Sequence, residues 1–461
     1  MKRLPSYFLL LCLVLAAGCS HSSPAQPDTS PATIEQPTYD EVQASATGDG
    51  LIVDMAEMQL PSPPLDQDAA PIYTKLTKLL AAKPLSKQDK IADELSNRVL
   101  PSTERLEKAR LALHRRDDIV KLVHAAAARP RCVFVRPWTK GNPMAVLLPE
   151  LAIMRKAVHF LRAETLVLLH DGKPLDAVRV MSLGFRIARH SAEERTAIAY
   201  LVGVAVDAIT FSGMEQILLL AGSDPAVASA VHAAITKEWT ARSLAEHLAG
   251  ETALQIWTTE IMRKKGAAVE YYLDDTKAAR EKQASAPNVP EEESSYWDSI
   301  ADSNGILILQ RMRRLHIAAD KLFPEAEGAF RTVAAEVDKS KDPTLVLSKA
   351  MFPNVIELPA SRARIQAISD IDRASSSLLT WKAKNGNFPE TLQAALPVVP
   401  TDPFDGKPLR YRREGEGFVI YSIGKDGKYD GGAPTKKPKG VDVVFRYPLP
   451  SYYRVGADGK K

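Results

Sequence analysis

Three runs near the end of the chain decide how it is read: Trp381-Lys-Ala-Lys-Asn-Gly-Asn-Phe-Pro389, Asp402-Pro-Phe-Asp-Gly-Lys-Pro-Leu-Arg-Tyr411 and Tyr421-Ser-Ile-Gly-Lys-Asp-Gly-Lys-Tyr-Asp-Gly-Gly432. Ahead of the first, Ile365, Ile368, Ile371, Leu378 and Trp381 mark one face of a helix expected over 364–384. Asn385-Gly386 closes it, because glycine reaches the left-handed cap conformation without a Cβ clash. Phe388-Pro389 opens a short helix that Pro397 and Pro400 stop. Asp402 to Gly406 is turn chemistry. Residues 409–413 and 418–423 alternate around Glu414-Gly-Glu-Gly417, which predicts a β-hairpin, and 442–447 supplies a third strand. The expectation is an α+β module over 360–448 with a three-stranded antiparallel sheet, followed by a tail at 449–461.

A chain of 461 residues is too long for one typical core, so two or three domains are expected. Lys2 and Arg3 followed by the apolar run Tyr7 to Ala17 have the form of a signal peptide, and the run is too short for a permanent span. The chain has Cys12, Cys19 and Cys132; once the signal is removed and Cys19 committed elsewhere, Cys132 cannot form an internal disulfide. There are 60 basic residues, of which Lys2 and Arg3 leave with the signal, against 56 acidic ones. That balance argues against nucleic acid as a partner.

From Ser20 to Thr74 there is no Lys or Arg, while nine acidic residues stand among Pro, Ser, Thr and Ala. Such composition predicts an acidic tether over 19–70, with a short ordered patch at Gly50-Leu-Ile-Val-Asp-Met55. Helical periodicity then runs through a domain over 71–355. Ser86 caps a helix over 87–99, and Ser102 starts the next, with Leu106, Ala109, Leu111 and Leu113 at its apolar positions. Arg129 to Trp138, bounded by prolines, reads as an extended segment laid over the helices. Residues 147–170, the turn Asp171-Gly-Lys-Pro174 and residues 175–190 form an αα-hairpin; further helices are expected over 226–248, 252–267 and 308–322. The apolar run 196–221 carries Asp207, Glu215 and Gln216, so a buried central helix is preferred to a membrane span. Overall the fold class is mainly α.

Leu15-Ala-Ala-Gly-Cys19 resembles the lipobox of bacterial lipoproteins, with Ala16 in place of the usual leucine. The resemblance implies cleavage after residue 18, lipidation (including palmitate) at Cys19 and attachment to the bacterial cell envelope. Ser20 after the cysteine resembles an outer-membrane sorting signal of Gram-negative cells. Gly172 and Ala177, with Leu168 and Met181, resemble the inner positions of a tetratricopeptide repeat; only one unit is visible, so a generic αα-hairpin is preferred. The helix ending in Asn-Gly-x-Phe-Pro, the Asp-Pro-Phe turn and the Tyr-Ser-x-Gly-x-Asp-Gly loop together resemble the globular domain of type II secretion major pseudopilins. In those proteins the glycine-rich loop binds calcium, which implies Asp426, Asp430 and Asp442 as candidate ligands here. Carboxylates with backbone carbonyls suit that ion, while Asx-turns and caps explain the same aspartates equally well. Over 130–430 the order of features is similar to a group of uncharacterised secreted bacterial proteins with a helical domain before a pilin-like tail.

No His-Glu-x-x-His, Gly-x-Ser-x-Gly, P-loop or dinucleotide fingerprint occurs, and the histidines are scattered singly. Glu246, His247 and Glu251, and the pair Asp274-Asp275, read as solvated faces, and Cys132 as a packed or free thiol. The function expected is a non-enzymatic, lipid-anchored envelope protein whose helical domain binds a protein or peptide partner. The alternatives are a hydrolase of an envelope polymer and an accessory component of a secretion system.

Overall fold

The computed structural model describes residues 37–90, 101–273, 277–339, 355–428 and 442–448. It is mainly helical. In chain order come α1 (Tyr39–Gly48), α2 (Ala70–Ala82), α3 (Thr103–Arg115), α4 (Asp117–Ala127), α5 (Pro149–His170), α6 (Pro174–Ala192), α7 (Ala197–Ala221), α8 (Pro225–Glu238) and α9 (Leu244–Lys265). The short α10 (Glu270–Leu273) and α11 (Lys277–Ser285) lead to α12 (Ser294–Ala319), α13 (Phe323–Lys339), α14 (Leu358–Asn385) and α15 (Leu392–Ala395). The strands β1 (Arg410–Glu414), β2 (Gly417–Ser422) and β3 (Val443–Tyr447) form one antiparallel sheet in that order.

Local sequence sets the helix starts. Pro149, Pro174 and Pro225 occupy the first turn of α5, α6 and α8, where a missing N–H costs nothing. Ser102, Thr196, Asp224 and Ser243 each accept a hydrogen bond from a first-turn amide. The αα-hairpin is present as α5 and α6. α7 is apolar nearly all round and lies inside the body, packed by α5, α6, α8 and α14.

Two large hydrophobic cores result, beside small clusters between α3 and α5 and around Trp297. The larger joins α2, α4, α5, α6, α7 and α8 to α14 and the sheet, through residues such as Tyr73, Phe160, Phe211, Val231, Ile371, Phe418 and Phe445. The smaller gathers Leu51, Met58, Trp138, Leu248, Leu309 and Phe330 around α9, α12 and α13. Leu148 and Val204 pack against both. The expected 71–355 domain and the expected 360–448 module therefore share one core, with α14 as the common wall.

Three expectations are corrected. Residues 38–70 do not behave as a tether: Ala46, Leu51, Ile52, Met55 and Met58 are buried in the smaller core, and Asp49 pairs with Arg313 of α12. Composition hid this because the apolar residues are few but spaced to face α12, which supplies the basic partner. Second, the chain breaks between Glu238 and Leu244, not between 248 and 252. Gly250 is no breaker; a Cβ there would lie 1.9 Å from the Arg195 carbonyl oxygen, so glycine lets α9 close on the α6–α7 corner. Third, α14 begins at Leu358, with Pro359 in its first turn, six residues before the expected start. In addition, Leu111 is exposed rather than on the packed face of α3. The Ser86 cap is present through Asp89, while the helix expected beyond residue 90 lies outside the described residues.

The C-terminal turns follow the sequence closely. Gly386 ends α14 in the left-handed conformation, its N–H donating to the Lys382 carbonyl. The hairpin register pairs Glu414 with Gly417 and Arg410 with Tyr421, and β2 is buried along its whole length as the central strand. Asp402 is the hub of this region. Its carboxylate accepts from the Phe404 amide at 3.0 Å, the Ser422 hydroxyl at 2.8 Å and the Ile423 amide at 3.0 Å, and pairs with Arg410.

Candidate functional site

Of the residues expected to hold calcium, Asp426 is exposed and its carboxylate accepts from the Lys428 amide at 3.1 Å, an Asx-turn. Asp442 is buried immediately before β3. Asp430 lies outside the described residues, as do Cys19 and the Asp274-Asp275 pair. No group of three or more His, Cys, Asp or Glu side chains is placed to hold a metal ion among the described residues.

A different place collects buried charged side chains. The extended segment 131–138 is tied down along its length. Asp68 accepts from the Val133 amide at 3.1 Å and from the Ala70 amide at 3.0 Å, and the Ala69 amide donates to the Arg131 carbonyl at 2.8 Å. The Arg136 amide donates to Gln59 at 2.9 Å. At the end of the segment the Arg136 guanidinium sits between two carboxylates, 2.8 Å from Glu194 and 2.9 Å from Glu150, with all three side chains less than a tenth exposed. Burial pushes the Glu194 carboxyl up, opposed by Arg136. This triad joins the extended segment, the start of α5 and the α6–α7 corner.

Exposed apolar side chains stand close to the triad residues along the chain. Val135 precedes Arg136 and is 78% exposed; Leu147 stands three residues before Glu150 at 75%; Ile198 stands four after Glu194 at 54%. Met144 and Leu201 add smaller exposed areas. Sequence reading missed this corner because its members come from positions 135, 147 and 198, and no local pattern links them. The Arg129–Trp138 segment bounded by prolines was the only available signal.

Near Val204, where the two large cores meet, the interior is polar. Asp207, fully buried on α7, pairs with Arg242 and accepts from the Trp239 indole at 3.2 Å. Burial lowers the Arg242 pKa to about 10, so it keeps its charge at neutral pH. Asp320 holds the start of α9 through Ser243 and the Leu244 amide, and pairs with Arg362 of α14. Arg186 and Arg189 of α6 converge on Glu238, whose carboxyl they pull down to about 2. These charges tie helices together; Asp207 and Arg242 are buried, while Arg186, Arg189 and Asp320 are partly exposed.

Near residue 250 Glu246 is exposed as expected, whereas His247 and Glu251 are not. His247 is buried, its Nδ1 2.8 Å from the Ser243 carbonyl and its ring edge-on to Tyr200; burial lowers it to about 4. Glu251 accepts from the Ala197 amide at 3.1 Å and so holds the start of α7. Cys132 is buried and free, and burial first, then Asp68 and the two glutamates at 193 and 194, pushes its thiol up, so it stays protonated. Close by, His190 Nε2–H donates to the Arg129 carbonyl at 2.9 Å, which leaves Nδ1 to accept from the Tyr73 hydroxyl at 3.0 Å. No protein-family model matches the chain, and no curated protein or solved structure matches it.

Proposed function

We propose that the chain is a lipid-anchored bacterial envelope protein of non-enzymatic kind, held by lipid on Cys19, which uses its helical body to bind a protein or peptide partner. The observation that carries the reading is that Val135, Leu147 and Ile198, each within four residues of a member of the buried Arg136–Glu150–Glu194 triad, stand exposed. Exposed apolar side chains are ordinary when scattered, but a group collected on a rigid, charge-tied support is what a binding surface needs. The buried charges of the body support the non-enzymatic reading, since they pair between helices. The pilin-like C-terminal module, with calcium as the proposed ligand of its glycine-rich loop, stiffens one side of the body through the shared helix α14.

The test uses the full chain in its own envelope. A photo-crosslinking side chain at Leu147 or Ile198 should capture one partner, and Lys108 on α3, which packs at the other end of α5, should not. Val135→Glu together with Ile198→Glu should abolish capture while the fold is kept. Cys19→Ser should remove lipid label and release the protein from the membrane fraction. Capture from Lys108 equal to that from Leu147 would sink the binding surface, and an unlabelled but membrane-bound wild type would sink the anchor.

A further inference from the structure

Helix α14 carries an interior stripe that nothing yet described uses. Ser369, Asp372 and Ser375 are each fully buried at one helical spacing. Neither oxygen of Asp372 has a hydrogen-bond partner, and neither do the two serine hydroxyls. The stripe faces α7. Glu215 is the charged group that acts on Asp372, and two turns further along both helices Leu379 lies against Gly222, so α7 and α14 run parallel here. Beyond Glu215 stands Arg162 of α5, buried and bonded to Gln216. On the α8 side His232 takes the Arg373 carbonyl at 3.2 Å, and on α14 itself Asp370 pairs with Arg373 and accepts from Gln366 at 2.9 Å. The sheet packs further toward the end of α14, where Lys382 donates to the Glu416 carbonyl.

A fully buried carboxylate with no donor from the protein is too costly to keep charged, so the group holds its proton. We propose that Asp372 is a proton-held latch between the helical body and the C-terminal module: as the neutral acid it lets α14 lie closed against α7, and on ionising it loosens that seam. Burial, with the Glu215 charge second, holds the Asp372 carboxyl well above its ordinary value of 3.8. The unfolded chain gives up this proton at lower pH than the folded one. The stabilisation is therefore complete below the ordinary value and is lost as pH rises toward the folded value.

The experiment compares full-length wild type with Asp372→Asn, the neutral isostere, between about pH 5 and about pH 9, by thermal midpoint and by hydrogen exchange corrected for the intrinsic pH dependence. The midpoint advantage of Asp372→Asn should grow as pH rises, and the wild type alone should lose protection in α7 and α14 peptides. Glu215→Gln should shrink the difference. A difference that stays constant with pH, or a loss of protection confined to other helices, would overturn the latch. If Asp372→Asn does not fold, infrared spectra of the wild type decide the matter. A buried carboxylic-acid carbonyl band at neutral pH that fades on alkaline titration supports the proposal, and its absence ends it.

Discussion

Asp402 and Asp372 are equally buried, and they do opposite things. Asp402 stands at the head of the hairpin with an arginine, a hydroxyl and two amides on its carboxylate. Asp372 stands thirty residues earlier in the same core with none. Burial alone therefore predicts neither charge nor role; the donors within reach decide both. Where turns and loops converge, backbone amides are free to serve a carboxylate. In the middle of a helix the amides are already spent on the helix itself, and a buried aspartate must keep its proton or find a side chain.

The contrast breaks most sharply at Asp402. Asp402→Ala should cost about 3–5 kcal/mol, because Arg410 and the Ser422 and Ile423 donors lose their acceptor together. Hydrogen exchange should show the sheet and the end of α14 opening first; loss confined to residues 402–411 would mean the hub is local. Asp207 is the intermediate case, partnered by side chains only. Arg242→Met should cost about as much, roughly 3–5 kcal/mol, by stranding Asp207, while adding Asp207→Leu should recover most of it. Failure of that second change to recover stability, measured by denaturant unfolding, would mean the pair sets more than charge balance. Gly250→Ala has no charge in it and should cost about 1–3 kcal/mol through the clash with the Arg195 backbone.

Acidity sharpens the comparison from the other direction. His190 and His247 are held neutral, lowered to about 4 by burial. Their unfolded forms bind protons more readily, so stability from them is present above about pH 6.5 and is lost as pH falls toward the folded values. Asp372 has the opposite sign. Wild-type midpoints plotted against pH should therefore fall on both sides, and Asp372→Asn should show a shallower alkaline limb, since Glu194, Glu251 and Asp370 are also raised by burial and keep part of it. An Asp372→Asn profile that falls as steeply as the wild type between about pH 7 and about pH 9 would place the alkaline loss elsewhere.

How much of this was legible follows the same division. The end of α14 at Asn385-Gly386, the Asp402 turn and the hairpin register are local consequences of residues a few positions apart, and sequence reading placed them well. The αα-hairpin and the buried α7 were equally readable from periodicity. The failures are long-range. Asp49 finds Arg313 of α12, Gly250 meets the Arg195 carbonyl, and Arg136 finds Glu150 and Glu194; none of these encounters leaves a mark on the neighbouring sequence. The corner around Arg136 is illegible for that reason, while the aspartates of the glycine-rich loop drew attention because their spacing is local.

Those aspartates give the smallest and last test of the contrast. Asp426 already serves its own turn through the Lys428 amide, and Asp442 is buried at the head of β3. If calcium joins them, as the resemblance to pseudopilins implies, the ion would hold the loop to the start of β3 through their carboxylates. Because α14 belongs to both the body and the module, the whole chain must be used. Calcium at about ten times its dissociation constant should raise the stability of the native form by about 1.4 kcal/mol, and excess chelator should reverse it. Asp426→Asn and Asp442→Asn should each remove the shift, and Asp372→Asn should leave it intact. A midpoint unmoved at millimolar calcium would leave the loop aspartates as turn and strand-end residues only.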